Sequence, residues 1–411
     1  MMLMSQAAQA LSGELIGTDV LFTSVSKDTR NIADGSLYVA IKGERFDGHA
    51  FVEQAEEAGA AGALVSEHQS AHLPQICVTD TRLALGRLAA HWRHQYGGKL
   101  VGITGSNGKT TVKEMTKSIL EHAAGEGHVL STAGNLNNDI GMPMTLLELR
   151  EHHQYAVIEM GANHPGEIDY LTHIAKPHVA VITNAGPAHL EGFGSIEKVA
   201  SSKAEIYSGI VDGGTAVINA DDDYAEYWKG VCRSLDNRSR LLTFSMLDET
   251  ADVYAAVIQK NGKTAIQIKT PLGEGAVHLA VPGQHNVMNA LAAAAVTAAL
   301  EVRFDDICDG LEAFSGVSGR LASCYTPGGA RVINDTYNAN PLSMQAAMNV
   351  LVSSGADTWL VLGDMAELGG EEEILHRQVG EQARALGVKH LLATGDLARF
   401  AVDAFLSLIH I

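Results

Sequence analysis

The residues most able to do chemistry form the string TGSNGKTT at positions 104–111. Small residues let successive backbone N–H groups close around phosphate oxygens at the start of a helix, whose dipole also favours anions. Lys109 would neutralise β- and γ-phosphates, and the Thr110 hydroxyl is a ligand type for Mg²⁺. The common form of such a loop has four residues between its glycines and would need Gly at 103. Ile103 stands there instead, with Gly102 and Gly105 on either side. The apolar run 100–104 and the helical pattern 110–122 supply the strand, loop and helix that phosphate binding requires. The expectation is an ATP-dependent enzyme, with Gly105, Ser106, Asn107, Gly108, Lys109, Thr110 and Thr111 around the phosphates.

Other candidates stand near the ends of apolar runs. In VIEMGAN (157–163), Glu159 closes a strand pattern, and ligands of open parallel sheets sit beyond the carboxyl ends of strands. A carboxylate there suits a hard cation, although taken alone a solvated strand end is the better reading of it. In VITNAGPAHLE (181–191), Asn184 and His189 follow a second apolar run. Lys203 and Glu205, in SSKAEI (201–206), read by default as solvated charges on a helix. The amides of PGQHN (282–286) could meet an adenine edge, and Asp335 could meet ribose hydroxyls, but polar turns explain both strings nearly as well. Arg320 after Gly319 could reach phosphates.

The elements that must position these groups read as α/β. A chain of 411 residues exceeds one ordinary core and suggests roughly two to three domains. Residues 1–81 alternate short β-like runs (36–41, 62–66) with a helical stretch (50–60). Residues 82–314 open with a helical stretch at 82–96 that leads to Gly97-Gly98, a natural joint. There strand patterns at 100–104, 155–160, 179–184 and 215–219 alternate with helices and predict a mainly parallel sheet. Residues 241–281 read as a β-meander, followed by an Ala-rich buried helix at 287–300. Residues 315–411 carry strand patterns at 330–334 and 358–363 with helices at 343–352 and 371–386.

The net charge of −19 argues against nucleic acid, because phosphodiester binding needs clustered Lys and Arg. The four cysteines are far apart and form no C-x-x-C pair, which points to reduced thiols. No run is long and apolar enough for a bilayer, and the N-terminus lacks a basic start and unbroken apolar stretch. No membrane insertion is expected, and a cytoplasmic location is.

The strings together resemble the Mur ligase family. Its own loop is Gly-[Thr/Ser]-x-Gly-Lys-[Thr/Ser], matched by GSNGKT at 105–110, which accounts for the missing glycine at 103. Further matches are KTTVKE (109–114), TAGNLNNDIG (132–141), AHLEGF (188–193), DTYNAN (335–340) and GDMAELG (363–369), in order along almost the whole chain. The resemblance implies a three-domain architecture. It comprises a small N-terminal α/β domain binding the UDP end of the substrate (1–81), a central P-loop ATPase domain with a parallel sheet (82–314) and a C-terminal Rossmann-like α/β ligase domain (315–411). It further implies that Lys109 contacts ATP phosphates and that Thr110 and Glu159 hold one Mg²⁺. His189 and Lys203 would hold a second, with Lys203 carbamylated by CO₂. Asn286, Arg320 and Asp335 match ATP-binding positions. Ser26, Thr29 and Arg30 (SKDTR, 26–30) and Lys42, Asp47 and His49 (KGERFDGH, 42–49) match the uridine-nucleotide motifs. Asn135, Asn137 and Asn138 match the loop that contacts the muramoyl nucleotide.

The activity implied is ATP-dependent, ADP-forming ligation of D-alanyl-D-alanine to UDP-N-acetylmuramoyl-tripeptide through an acyl phosphate. That is a step of peptidoglycan synthesis, and so of cell-wall biogenesis, cell shape and division, carried out here by an expected monomer. Two alternatives stay open: the sister ligase that adds the diamino acid, and a catalytically impaired nucleotide-binding homologue. The second is prompted by the apolar ending FLSLIHI (405–411), where the family continues to a late Lys-Gly-Ser motif, so that the third domain is expected to be incomplete.

Overall fold

A computed structural model describes residues 1–43, 45–260, 263–353, 355 and 357–406. Glu44 of the 42–49 motif and residues 407–411 of the apolar ending lie outside the described residues.

The centre is a nine-stranded sheet whose order across the sheet is Gly273–Leu279, Lys263–Thr270, Val253–Lys260, Arg240–Ser245, Thr215–Asn219, Val179–Ile182, Lys99–Thr104, Tyr155–Glu159, Val129–Ser131. From Val253–Lys260 to Val129–Ser131 every neighbouring pair is parallel. Only the pairings of Lys263–Thr270 with its two neighbours are antiparallel. The meander expected over 241–281 is therefore corrected: its first strand joins the parallel sheet and the next extends it. Alternation in Ala265–Lys269 marked the antiparallel part, but nothing local distinguishes a parallel edge strand from a meander strand.

The inner strands are buried on both faces, so alternate side chains enter two cores. Leu100, Ala156, Ile158, Ala180 and Ile182 meet the helices Thr81–His94, Glu167–Ala175 and Ile196–Ala204. Val101, Ile103, Val157, Val179 and Val181 meet Lys109–Ala124, Gln284–Ala299 and Phe304–Ala313. The Ala-rich helix is apolar all round because it lies between the sheet and two further helices.

A five-stranded sheet precedes this layer, ordered Glu14–Ile16, Gln75–Cys77, Gly62–Val65, Ser36–Val39, Ser24–Ser26, with its last four strands mutually parallel. After it, Ala322–Tyr325 and Arg331–Asn334 form a hairpin. Trp359–Leu362 and His390–Ala393 then pair in parallel around the helix Glu372–Ala385, over a core containing Met348, Leu362, Met365 and Val379. This strand–helix–strand unit is the Rossmann-like element expected of the third segment. No helix among the described residues is long and apolar enough to cross a membrane.

One packing contact bears on the site. Trp228, with no exposed surface, donates its Nε1–H to the carbonyl of Ala200 at 3.1 Å and so holds the helix that carries Lys203. Trp228→Ala should destabilise the folded chain by about 3–5 kcal/mol, read as a lowered urea midpoint. An unchanged midpoint would contradict this packing.

Candidate active site

The loop after Lys99–Thr104 takes its shape from two glycines. Gly105 has φ +145°, and a Cβ there would lie 1.9 Å from Thr183 Oγ1; Gly108 has φ +82°, and a Cβ would lie 2.4 Å from Asn289 Oδ1. Neither place accepts a side chain, and both backbones lie in the region that glycine populates freely. The loop is knitted to residues 183–186. Ser106 N donates to Asn184 O (2.9 Å), Asn107 N to Asn184 Oδ1 (3.0 Å), and Thr183 Oγ1 to Asn107 O (2.5 Å). Lys109 opens the helix and folds back, its Nζ donating to Gly105 O (2.8 Å) and Ser106 O (3.2 Å). Burial, with the Arg320 charge, lowers the Lys109 pKa, against the pull of Glu159.

Beside the loop, Glu159 ends its strand with 2% exposure. Oε2 accepts from Thr110 Oγ1 (3.0 Å) and Oε1 from Asn137 Nδ2 (2.7 Å). Arg320 Nη2 donates to the same Thr110 hydroxyl at 3.0 Å, with its guanidinium 4.2 Å from the Tyr337 ring centroid. Both side-chain partners of the carboxylate are neutral, and no ion pair reaches it among the described residues. A buried anion so held has room and charge for a cation.

His189 precedes the short helix Leu190–Phe193, with φ 56°, and burial with Lys109 and Lys203 lowers its pKa against the pull of Glu367. Lys203 is 1% exposed, with Nζ 5.3 Å from the Phe193 ring centroid and no hydrogen bond or ion pair among the described residues. Burial first, and then the Lys109 charge, bring its pKa down to about 7. The default reading of Lys203 as a solvated helix lysine is thus overturned. Its helix packs into the core between Phe193 and Trp228, which no local pattern announces. Glu205 is likewise no free surface charge: it accepts from Gly166 N and Asp169 N at the start of the helix Glu167–Ala175, and burial raises its pKa.

A cavity of about 1330 Å³ gathers Ser106, Asn107, Gly108, Lys109 and Thr111 with Asn135, Asn137, Asn138, Glu159, His189, Asn286, Arg320 and Asp335. Gly105, Thr110 and Lys203 do not line it, although Thr110 bonds two residues that do, Glu159 and Arg320. Asn286 is held by the protein itself, its Nδ2 donating to Pro282 O (2.7 Å) and its Oδ1 accepting from Asn289 (3.2 Å). Asp335 accepts from Leu321 N, and burial raises its pKa.

Ser26, Thr29, Arg30, Lys42, Asp47 and His49 do not line this cavity. They gather at the carboxyl edge of the five-stranded sheet. Ser26 ends one strand, Arg30 pairs with Asp28 at 2.6 Å, and Lys42 bridges to Asp47. Asp47 Oδ1 lies 2.5 Å from His49 Nδ1, while His49 Nε2 accepts from Ser66 N. Sequence reasoning singled out none of Asn289, Asn340 or Glu367. Asn340 and Glu367 lie inside the quoted strings DTYNAN and GDMAELG, whereas Asn289 follows Asn286 by one helical turn. Asn340 Nδ2 donates to Asn107 Oδ1 at 2.7 Å, joining the third segment to the phosphate loop.

Three family models match the chain in succession. They are the Mur ligase family catalytic domain over 21–93, the Mur ligase middle domain over 103–297 and the Mur ligase glutamate ligase domain over 319–407. The UDP-N-acetylmuramoyl-tripeptide–D-alanyl-D-alanine ligase of Escherichia coli K12 is 45% identical over 393 residues, 95% of this chain and 85% of that protein. The enzyme of that name from Bacillus subtilis is 37% identical, with coverages of 93% and 82%. The crystal structure of MurF from Acinetobacter baumannii superposes with a TM-score of 0.90 at 40% identity, covering 97% of this chain and 87% of that one. The MurF ligase of Thermotoga maritima, solved in complex with ADP, superposes at 0.81 with 27% identity, over 92% of this chain and 86% of that one. This chain belongs to the Mur ligase family.

Proposed function

We propose that this enzyme joins the terminal carboxylate of UDP-N-acetylmuramoyl-tripeptide to the amino group of D-alanyl-D-alanine, cleaving ATP to ADP and phosphate. It thereby makes the pentapeptide precursor of peptidoglycan, on which cell wall, cell shape and division depend. The observation that carries the reading is one cavity in which the phosphate loop, Glu159, the 135–138 loop and Arg320 of the third segment converge. Relatives 45% and 37% identical over most of the chain bear the name of that ligase. The domains we assign are 1–81 for the uridine end, 82–314 for ATP and 315–411 for ligation. We assign the enzyme to the cytoplasm and to a monomeric state.

In the first half-reaction a tripeptide carboxylate oxygen attacks the γ-phosphorus, the bond to ADP breaks, and an acyl phosphate forms. In the second, the dipeptide amine attacks the carbonyl carbon, the carbon–oxygen bond to phosphate breaks, and the amine loses a proton. Such transfers need positioning and charge neutralisation more than covalent help from the protein. Lys109 and Arg320 now donate to the loop carbonyls and the Thr110 hydroxyl, and phosphate oxygens would replace those acceptors. The N–H groups of 105–111 complete the cradle, Asn286 lies beside the adenine, and Asp335 accepts from the ribose. Asn135, Asn137 and Asn138 meet the muramoyl part. Ser26, Thr29, Arg30, Lys42, Asp47 and His49 hold the uridine nucleotide at the far edge of the first sheet.

Thr110 with Glu159, and His189 with carbamylated Lys203, are the groups that would hold two Mg²⁺. The almost wholly buried Glu159 carboxylate, with only neutral direct partners, fits a cation. When bound, Mg²⁺ draws charge from the γ-phosphate. Carbamylation needs an uncharged amine, whose nitrogen bonds to the carbon of CO₂ and gives its proton to water. Burial prepares Lys203 for this by lowering its pKa to about 7.

Lys109→Ala should lower the rate of ADP formation about 10²–10³-fold, measured with both substrates present. A variant that forms pentapeptide at the normal rate would sink the assignment. Wild-type enzyme depleted of CO₂ should lose activity and regain it with bicarbonate. The regained rate should fall as pH drops below about 7, where the Lys203 ammonium prevails. A small carboxylate should partly rescue Lys203→Ala. Full activity of the unrescued variant would remove Lys203 from the mechanism.

A further inference from the structure

The segment 363–369 is anchored from within. Met365 and Leu368 are 1% and 2% exposed, and Met365 N donates to Nε2 of His376, which has no exposed surface and whose Nδ1 lies 2.7 Å from Glu372 O. Glu367, between the two buried side chains, faces outward, and its Oε2 meets His189 Nδ1 at 2.5 Å, 178 residues away in the chain. Glu367 and His189 both have left-handed backbones, with φ of 62° and 56°. That conformation is uncommon without glycine and persists where surrounding structure holds it. The main chains support the contact: Glu191 N donates to Glu367 O at 3.5 Å, and the Gly369 backbone lies against Leu190 and Glu191.

A carboxylate can only accept, so the His189 ring carries its proton on Nδ1. In the neutral ring Nε2 keeps its lone pair, and His189 lines the cavity. Metal-ligating histidines usually have their second ring N–H held in this way, which fixes tautomer and ring plane. We infer that Glu367 is the positioning residue of His189, presenting Nε2 to a divalent cation. Because Glu367 belongs to the third segment, cation affinity at His189 then depends on the contact of that segment with residues 189–191. The inference rests on His189 being a metal ligand. A purely structural role is the competing explanation, but the Glu367 carboxylate is 51% exposed, and a contact so solvated adds little stability.

The test uses the full chain with a non-hydrolysable ATP analogue, titrated with Mn²⁺ and followed by the EPR signal of the free ion. Glu367→Ala should weaken the His189-dependent binding about tenfold or more, with the melting temperature nearly unchanged. Glu367→Gln, whose amide oxygen still accepts from Nδ1, should weaken it less. In metal-free protein, ¹⁵N shifts should report an Nδ1–H ring at His189 that becomes a tautomer mixture in Glu367→Ala. If His189→Ala loses Mn²⁺ affinity while Glu367→Ala binds as wild type, the role of Glu367 is overturned and the ligand assignment stands. If His189→Ala binds as wild type, the ligand assignment falls, and this inference with it.

Discussion

The constraint on which the site depends is a carboxylate buried at the end of a parallel strand. Taking Glu159 out of water is costly, and its surroundings answer with hydrogen bonds rather than a direct counter-charge. Thr110 and Asn137 each donate to one oxygen, and Arg320 reaches the Thr110 hydroxyl from the third segment. The chain Asn137–Glu159–Thr110–Arg320 thus links a substrate loop, a strand end, the phosphate loop and a distant segment. Any ligand that replaces one of these bonds alters the setting of the others.

Sheet order explains why these parts meet. Lys99–Thr104 has Tyr155–Glu159 on one side and Val179–Ile182 on the other, so the chain crosses over it between those strands. Open parallel sheets bind ligands beyond the carboxyl ends of strands where the order reverses. The phosphate loop leaves at that point, with Glu159 and residues 183–189 delivered from its neighbours. The bonds from Ser106 and Asn107 to Asn184 tie the shape of the loop to the end of the neighbouring strand.

The phosphate loop and inner strands were legible in the residues because they are local: a two-sided apolar strand, glycines and a helix follow within twenty-five positions. Glu159 and His189 were legible as strand-end groups. The state of Lys203 was not. It reads by default as a solvated helix charge, and the burial that lowers its pKa comes from the core in which Phe193 and Trp228 lie. The Glu367–His189 contact was invisible for the same reason, since a half-exposed pair across 178 residues leaves no local pattern. The parallel strands at 240–260 were misread because strand direction is set by partners and not by composition.

The central claim is that the substrate carboxylate is activated by phosphoryl transfer within this cavity. It is tested most directly with tripeptide nucleotide carrying ¹⁸O in its terminal carboxylate, incubated with the enzyme, ATP and D-alanyl-D-alanine. The account predicts one ¹⁸O in each inorganic phosphate released, carried there through the acyl phosphate. Unlabelled phosphate released alongside ADP would contradict it, because water would then have been the nucleophile at the γ-phosphorus.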